Sequence, residues 1–374
     1  MRIRAAIDWA LPYWTRGQAG RETPPELFKV LYYGWLLAFV LKVLGSSWDV
    51  SWHFKWLRDD LAPPHLLNSA GTAIVLALTI IHGYTGYGVD RTALRLIQWG
   101  TGTFLVAVPL DLINHRINGL DITSWSPSHI LLYLGTFFMI AGVIRGWYVG
   151  GGGKPVLAAL FAFFLENILF PAQHQEYGVF AIAAWDRGAP EAEPILMQFA
   201  ADQMGRPVDR DMMVAFSLPV PDYLYPVYFT VAGLIVLAVA RMMVGRFGTA
   251  TLVAAALVVY RAAVWPLLSV ADFPESAVPF FLVVGALAVD VAFLIRMPYL
   301  RAVLGAVLAT AAVYGSLIAQ HAVLAAPPLA TASAVWAAAG LAVAWLVMEW
   351  FVTRFGLRAA DQPIGARVSA TATP

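Results

Sequence analysis

Residues 28–47 read Phe-Lys-Val-Leu-Tyr-Tyr-Gly-Trp-Leu-Leu-Ala-Phe-Val-Leu-Lys-Val-Leu-Gly-Ser-Ser, twenty positions with two charges. A helix rises 1.5 Å per residue, so about 20 apolar residues match a hydrocarbon layer of about 30 Å. Comparable runs, bounded by Pro, Gly and charges, recur at 64–84, 96–115, 127–148, 155–175, 223–245, 248–268, 277–296, 300–323 and 330–353. They predict an all-α fold, a polytopic membrane bundle of about ten transmembrane helices. Of the 374 residues, 60% are hydrophobic and 13% charged, against about a quarter charged in soluble domains. Mean hydropathy is +0.70.

The runs divide the chain. Residues 1–27 form an interfacial segment in which Ala5 to Thr15, with Trp9, Tyr13 and Trp14, reads as a helix lying along the membrane surface. Asp8 and Pro12 interrupt it, which argues against a cleavable signal. Residues 28–175 and 223–354 are two helical halves. The polar stretch 176–222 between them reads as an extracytoplasmic loop, with a small helix over Ile195 to Met204. Gly150 to Gly153 is a turn, and 355–374 is a tail without regular structure.

Cations orient the bundle. With both termini in the cytoplasm, sixteen of the 24 Lys and Arg fall inside and six outside, while Lys42 and Arg261 lie within spans. The expected location is the cytoplasmic (inner) membrane, with the lipid bilayer as partner. A net charge of +1 and no long basic block exclude nucleic acid. The chain has no cysteine, so disulfides, thiolate sites and iron–sulfur clusters are excluded, leaving His, Asp, Glu, Asn and Met as ligands.

The first four spans contain an internal repeat. One copy is Trp48-Asp49-Val50-Ser51-Trp52-His53, Arg58-Asp59, then Pro63-Pro64-His65, with Gly71 six residues on. The other is Asp111-Leu112-Ile113-Asn114-His115, Asp121, then Pro127-Ser128-His129, with Gly135 six residues on. Residues i and i+4 share a helix face, so Asp49 and His53 point together, as do Asp111 and His115. Proline suits the first turn of a helix, so His65 and His129 open the spans that return. Each copy gathers one carboxylate and two imidazoles at the outer boundary, a donor set that suits copper, zinc or non-haem iron. Matched Gly71 and Gly135 predict closely packed hairpins.

These residues also carry a resemblance. Asp49-Val-Ser-Trp52-His53, followed by Leu57-Arg58-Asp59 and Pro63-Pro64-His65-Leu66, resembles the copper-site segment of the C subunit of particulate methane and ammonia monooxygenases. Pro127-Ser128-His129-Ile130 resembles the end of the same motif. The resemblance covers about twenty residues per copy. It implies that Asp49, His53 and His65 are copper ligands, with Asp111, His115 and His129 as a second set. It further implies an oxidoreductase of monooxygenase type, membrane-complex subunits as partners and a hydrophobic small-molecule substrate. Two other functions compatible with the residues are periplasmic copper or zinc handling or transport without catalysis, and a haem b or quinone protein.

Other polar residues fall near the spans. Glu166 and His174, eight apart near the end of the fifth span, are further metal-ligand candidates, although Pro171 disturbs their register. His82, toward the cytoplasmic side, reads as packing or hydrogen-bonding to a neighbouring helix. Arg261 and Asp290 are expected to pair, with Arg296 as the alternative partner of Asp290, and Glu349 to be solvated. Met197, Met204, Met212 and Met213 read as apolar cover rather than copper ligands.

Overall fold

The structure, a computed structural model, describes residues 2–57, 61–118 and 123–354. Arg58, Asp59, Asp121 and the tail 355–374 lie outside them. The described chain is a helical membrane bundle. A short helix, α1 (Arg2–Ala10), leads into α2 (Pro25–Lys55), α3 (Pro63–Thr85), α4 (Arg91–Asn118) and α5 (Pro127–Val149). Prolines open α2, α3 and α5, where their missing N–H is not needed. Gly86, in the left-handed region at φ 75°, ends α3.

The fifth span runs on beyond its expected limit. Pro171 breaks it into α6 (Lys154–Leu169) and α7 (Gln173–Asp186), joined by a 3-10 turn at Phe170–Ala172. The stretch expected to be a loop is instead largely helical, for α7 is followed by α8 (Pro194–Met204) and α9 (Arg210–Ser217). Met212 and Met213 are buried here, against Leu196 and Ala200. The second half comprises α10 (Leu224–Tyr228), α11 (Leu234–Val244), α12 (Thr249–Val270), α13 (Phe281–Ala292), α14 (Pro298–Val323) and α15 (Ala334–Arg354), with a π-helical turn at Phe229–Gly233 joining α10 to α11.

Among the described residues nine helices are long and apolar enough to cross a membrane. The expected span at 277–296 is the exception. Its helix, α13, has 12 residues, about 18 Å of rise. The residues before it, 273–279, which include Pro274 and Pro279, are not helical. Non-helical backbone at membrane depth needs partners from protein, and they are present. Ser51 donates to the Pro274 carbonyl at 2.6 Å and Gln320 to that of Val278 at 2.8 Å, while the Ala277 N–H donates to the Glu176 carbonyl.

The repeat is visible in the packing. A Cβ at Gly71 would lie 2.8 Å from the Ala38 carbonyl oxygen and 3.2 Å from the Lys42 nitrogen. One at Gly135 would lie 2.9 Å from the Gly100 oxygen and 2.7 Å from the Phe104 nitrogen. Ala38 and Lys42 precede Gly100 and Phe104 by the same 62 residues that separate Asp49 from Asp111. The hairpins α2–α3 and α4–α5 therefore use the same backbone contacts. Their equivalent side chains Lys42 and Phe104 meet, the ammonium 3.8 Å from the ring centre.

Candidate metal centre

Asp49 and His53 occupy the last two turns of α2, and His65 the first turn of α3. Asp49 Oδ1 lies 2.8 Å from His65 Nε2 and 3.4 Å from His53 Nε2. In the second copy, Asp111 Oδ2 lies 3.5 Å from His115 Nδ1 and Oδ1 lies 3.7 Å from His129 Nε2. Ser126 caps α5 by accepting the His129 backbone N–H, which fixes where that side chain leaves the helix. Each group offers one carboxylate oxygen and two ring nitrogens within 4.8 Å of one another. The groups differ in setting. The first is half-buried, whereas the Asp111 and His115 side chains are each 8% exposed.

The donor set fits an ion. Asp49 Oδ1 is buried and lies against both imidazoles. A carboxylate oxygen and two ring nitrogens converging on one point suit a cation. Imidazoles with a carboxylate suit copper, zinc or iron, and an all-oxygen site would suit magnesium or calcium.

Both groups face one cavity of about 690 Å³, whose wall includes Asp49, His53, His65, Asp111 and His129, but not His115. Leu196 and Phe199 of α8 and Phe216 of α9 cover it; Lys42 and Phe104 lie on its wall deeper along the helices. Leu105 and Val108 line it and are also exposed on the apolar outside of α4, so the cavity reaches the bundle's lateral surface.

The two remaining ligand candidates line the cavity but join neither group. Glu166 is held by Arg261, at 3.1 Å from Nε and 3.3 Å from Nη2. His174 Nε2 meets the Phe216 carbonyl at 3.0 Å. Their helix breaks at Pro171, so the eight-residue spacing does not align them on one face.

Among the described residues Arg261 and Asp290 do not pair with one another and Glu349 is not solvated, whereas His82 hydrogen-bonds to a neighbouring helix as expected. Arg261 binds Glu176 as well as Glu166, and Tyr225 donates to Glu176 at 2.7 Å. Asp290 pairs with Arg241 at 3.2 Å and accepts the Thr251 N–H at the start of α12. Glu349 is fully buried on Arg301. His82 accepts from the Trp35 indole at 2.9 Å through Nε2 and meets the Tyr87 carbonyl at 2.7 Å through Nδ1. Both its ring nitrogens are thereby used within the fold.

No family model, curated protein or solved structure matches this chain.

A cavity-wall residue that sequence reasoning passed over is Lys42, read only as a charge within a span. Aligning the two copies would have found it, since a lysine in one stands where the other has Phe104.

Proposed function

We propose that this chain is an integral membrane metalloprotein that holds copper at its two Asp-His-His groups, and that it acts as an oxidoreductase or as a subunit of one. The observation that carries the reading is the convergence of the same three donors, within 4.8 Å, in both copies of the repeat. Asp49, His53 and His65 would hold one ion, and Asp111, His115 and His129 another. The local resemblance to the monooxygenase C subunit favours copper over zinc or iron. Bound copper would supply redox chemistry toward dioxygen. The chain's own residues would orient the ion, cover it from water with α8 and α9, and admit a hydrophobic molecule past Leu105 and Val108. The cation bias of the loops supports an inner-membrane protein with both termini in the cytoplasm and both groups on the opposite side.

The test is a copper titration into metal-stripped protein, read by calorimetry and elemental analysis. Two unequal affinities are expected, the tighter at the first group, where the carboxylate–imidazole distances are shorter. Loss of an outer-shell partner costs about 10–100-fold in metal affinity, so loss of a ligand should cost at least about 100-fold. Asp49→Ala or His53→Ala should abolish the tighter binding, and His115→Ala the weaker. His82→Ala should leave both intact. Protons compete for imidazole, so uptake should weaken as pH falls. Unchanged copper binding in Asp49→Ala and His53→Ala would refute the assignment, and tighter binding of zinc would shift it to a zinc protein. If Asp111→Ala alone removes the tighter site, the ranking of the two groups is reversed.

A further inference from the structure

Lys42 is an ammonium-bearing side chain in the middle of α2, 6% exposed. Charges at membrane depth are costly and mark function. Its Nζ donates to Asn68 Oδ1 at 2.9 Å and Thr72 Oγ1 at 3.1 Å, and Asn68 in turn donates to Ser46. An ammonium has three donors, and both of these acceptors are neutral. Among the described residues no carboxylate pairs with Lys42.

The repeat supplies an internal control. Gly71 packs on the Lys42 backbone as Gly135 packs on that of Phe104. The partner Asn68 stands where the second copy has Leu132. The same hairpin is thus built with an aromatic and an aliphatic residue, and neither the charge nor its amide partner is needed for packing. Both pairs line the one cavity. At this depth the cavity is lined by the polar Lys42, Asn68, Thr72 and Thr136 and, beside them, the apolar Phe104, Leu105 and Leu132. At about 690 Å³ it falls in the range of small-molecule sites, about 300–1,000 Å³.

We infer that the cavity binds an amphipathic carboxylate, its head on Lys42, Asn68 and Thr72 and its hydrocarbon chain along Phe104, Leu105 and Leu132. Lys42 lies seven residues before Asp49, about 10 Å along the helix. The head is therefore seated well below the Asp-His-His groups. The site is independent of any ion, so it can be tested on metal-stripped protein whatever the outcome of the copper titration.

The experiment uses the full chain in phosphatidylcholine nanodiscs, with lysine labelled at ¹⁵Nζ and decanoate at its ¹³C carboxyl. The sequence has four lysines, Lys29, Lys42, Lys55 and Lys154, so their signals can be assigned by substitution. A dipolar contact between the carboxyl carbon and Lys42 Nζ is expected. Lys42→Met should remove the contact and weaken decanoate at least about tenfold, the order of one charge-assisted hydrogen bond. Lys42→Arg should retain binding, and decanol should bind wild type and Lys42→Met equally. Equal decanoate affinity in Lys42→Met, or no saturable binding to wild type, would overturn the proposal. Acetate competing as well as decanoate would show a small-anion site and overturn it too.

Discussion

Arg261→Met is expected to be among the most destabilising single changes in the bundle, lowering stability by about 3–5 kcal/mol or more. The guanidinium is 2% exposed and bridges Glu166 and Glu176, themselves 4% and 0% exposed. Removing it leaves two buried carboxylates without a cation, and each must be desolvated charged or take up a proton. Methionine fills much of the space, so the loss isolates charge rather than volume. The damage should be partly reversed in the triple variant Arg261→Met, Glu166→Gln, Glu176→Gln, which removes the stranded charges as well. Thermal or denaturant unfolding of the detergent-purified protein gives the answer. A single variant as stable as wild type would mean that the cluster contributes nothing to folding.

Gly135→Leu should rank second, because its side chain would be driven against backbone that cannot turn aside. A Cβ there stands 2.7 Å from the Phe104 nitrogen and 2.9 Å from the Gly100 oxygen, so α4 and α5 must separate. Overpacking costs about 1–3 kcal/mol and occasionally more; with two helix backbones in contact the upper end is expected. Gly102→Leu, on α4 but with nothing within 4 Å of its Cβ, is the control. It should be neutral or stabilising by up to about 1 kcal/mol, since glycine weakens a helix. His129 lies six residues before Gly135 on α5, so Gly135→Leu should also weaken copper at the second group and spare the first. Equal stability in the two glycine variants would show that the hairpin is not held by this approach.

The sequence made the bundle legible through long apolar runs, and the two donor groups through a repeat in which i, i+4 spacing and helix-opening prolines recur. Other features were hidden for physical reasons. Gln173, His174, Gln175 and Glu176 look like the solvated end of a span, yet all four are buried, with Glu176 paired to Arg261 and Tyr225 and His174 to the Phe216 carbonyl, partners far away in sequence. That misreading ended the fifth span too early and concealed the partner of Arg261. Glu349 looked solvated because the matching Arg301 lies 48 residues away, a separation at which spacing predicts nothing. The stretch 277–296 is apolar enough to span, but composition does not register that Ser51 and Gln320 stand ready to receive a non-helical backbone.

The opening beside Leu105 and Val108 also bears on how any occupant would be supplied. For a molecule entering by that route, the reservoir that counts is the bilayer rather than the water outside it. Each methylene favours the apolar phase by about 0.8 kcal/mol, which is roughly a fourfold enrichment. Two ligands making identical contacts inside the cavity would therefore differ in apparent affinity by their oil–water partition alone. Half-saturation quoted against total aqueous concentration would track chain length, and expressed per mole of lipid that trend would flatten. Adding empty vesicles would then act as a competitor without touching the protein.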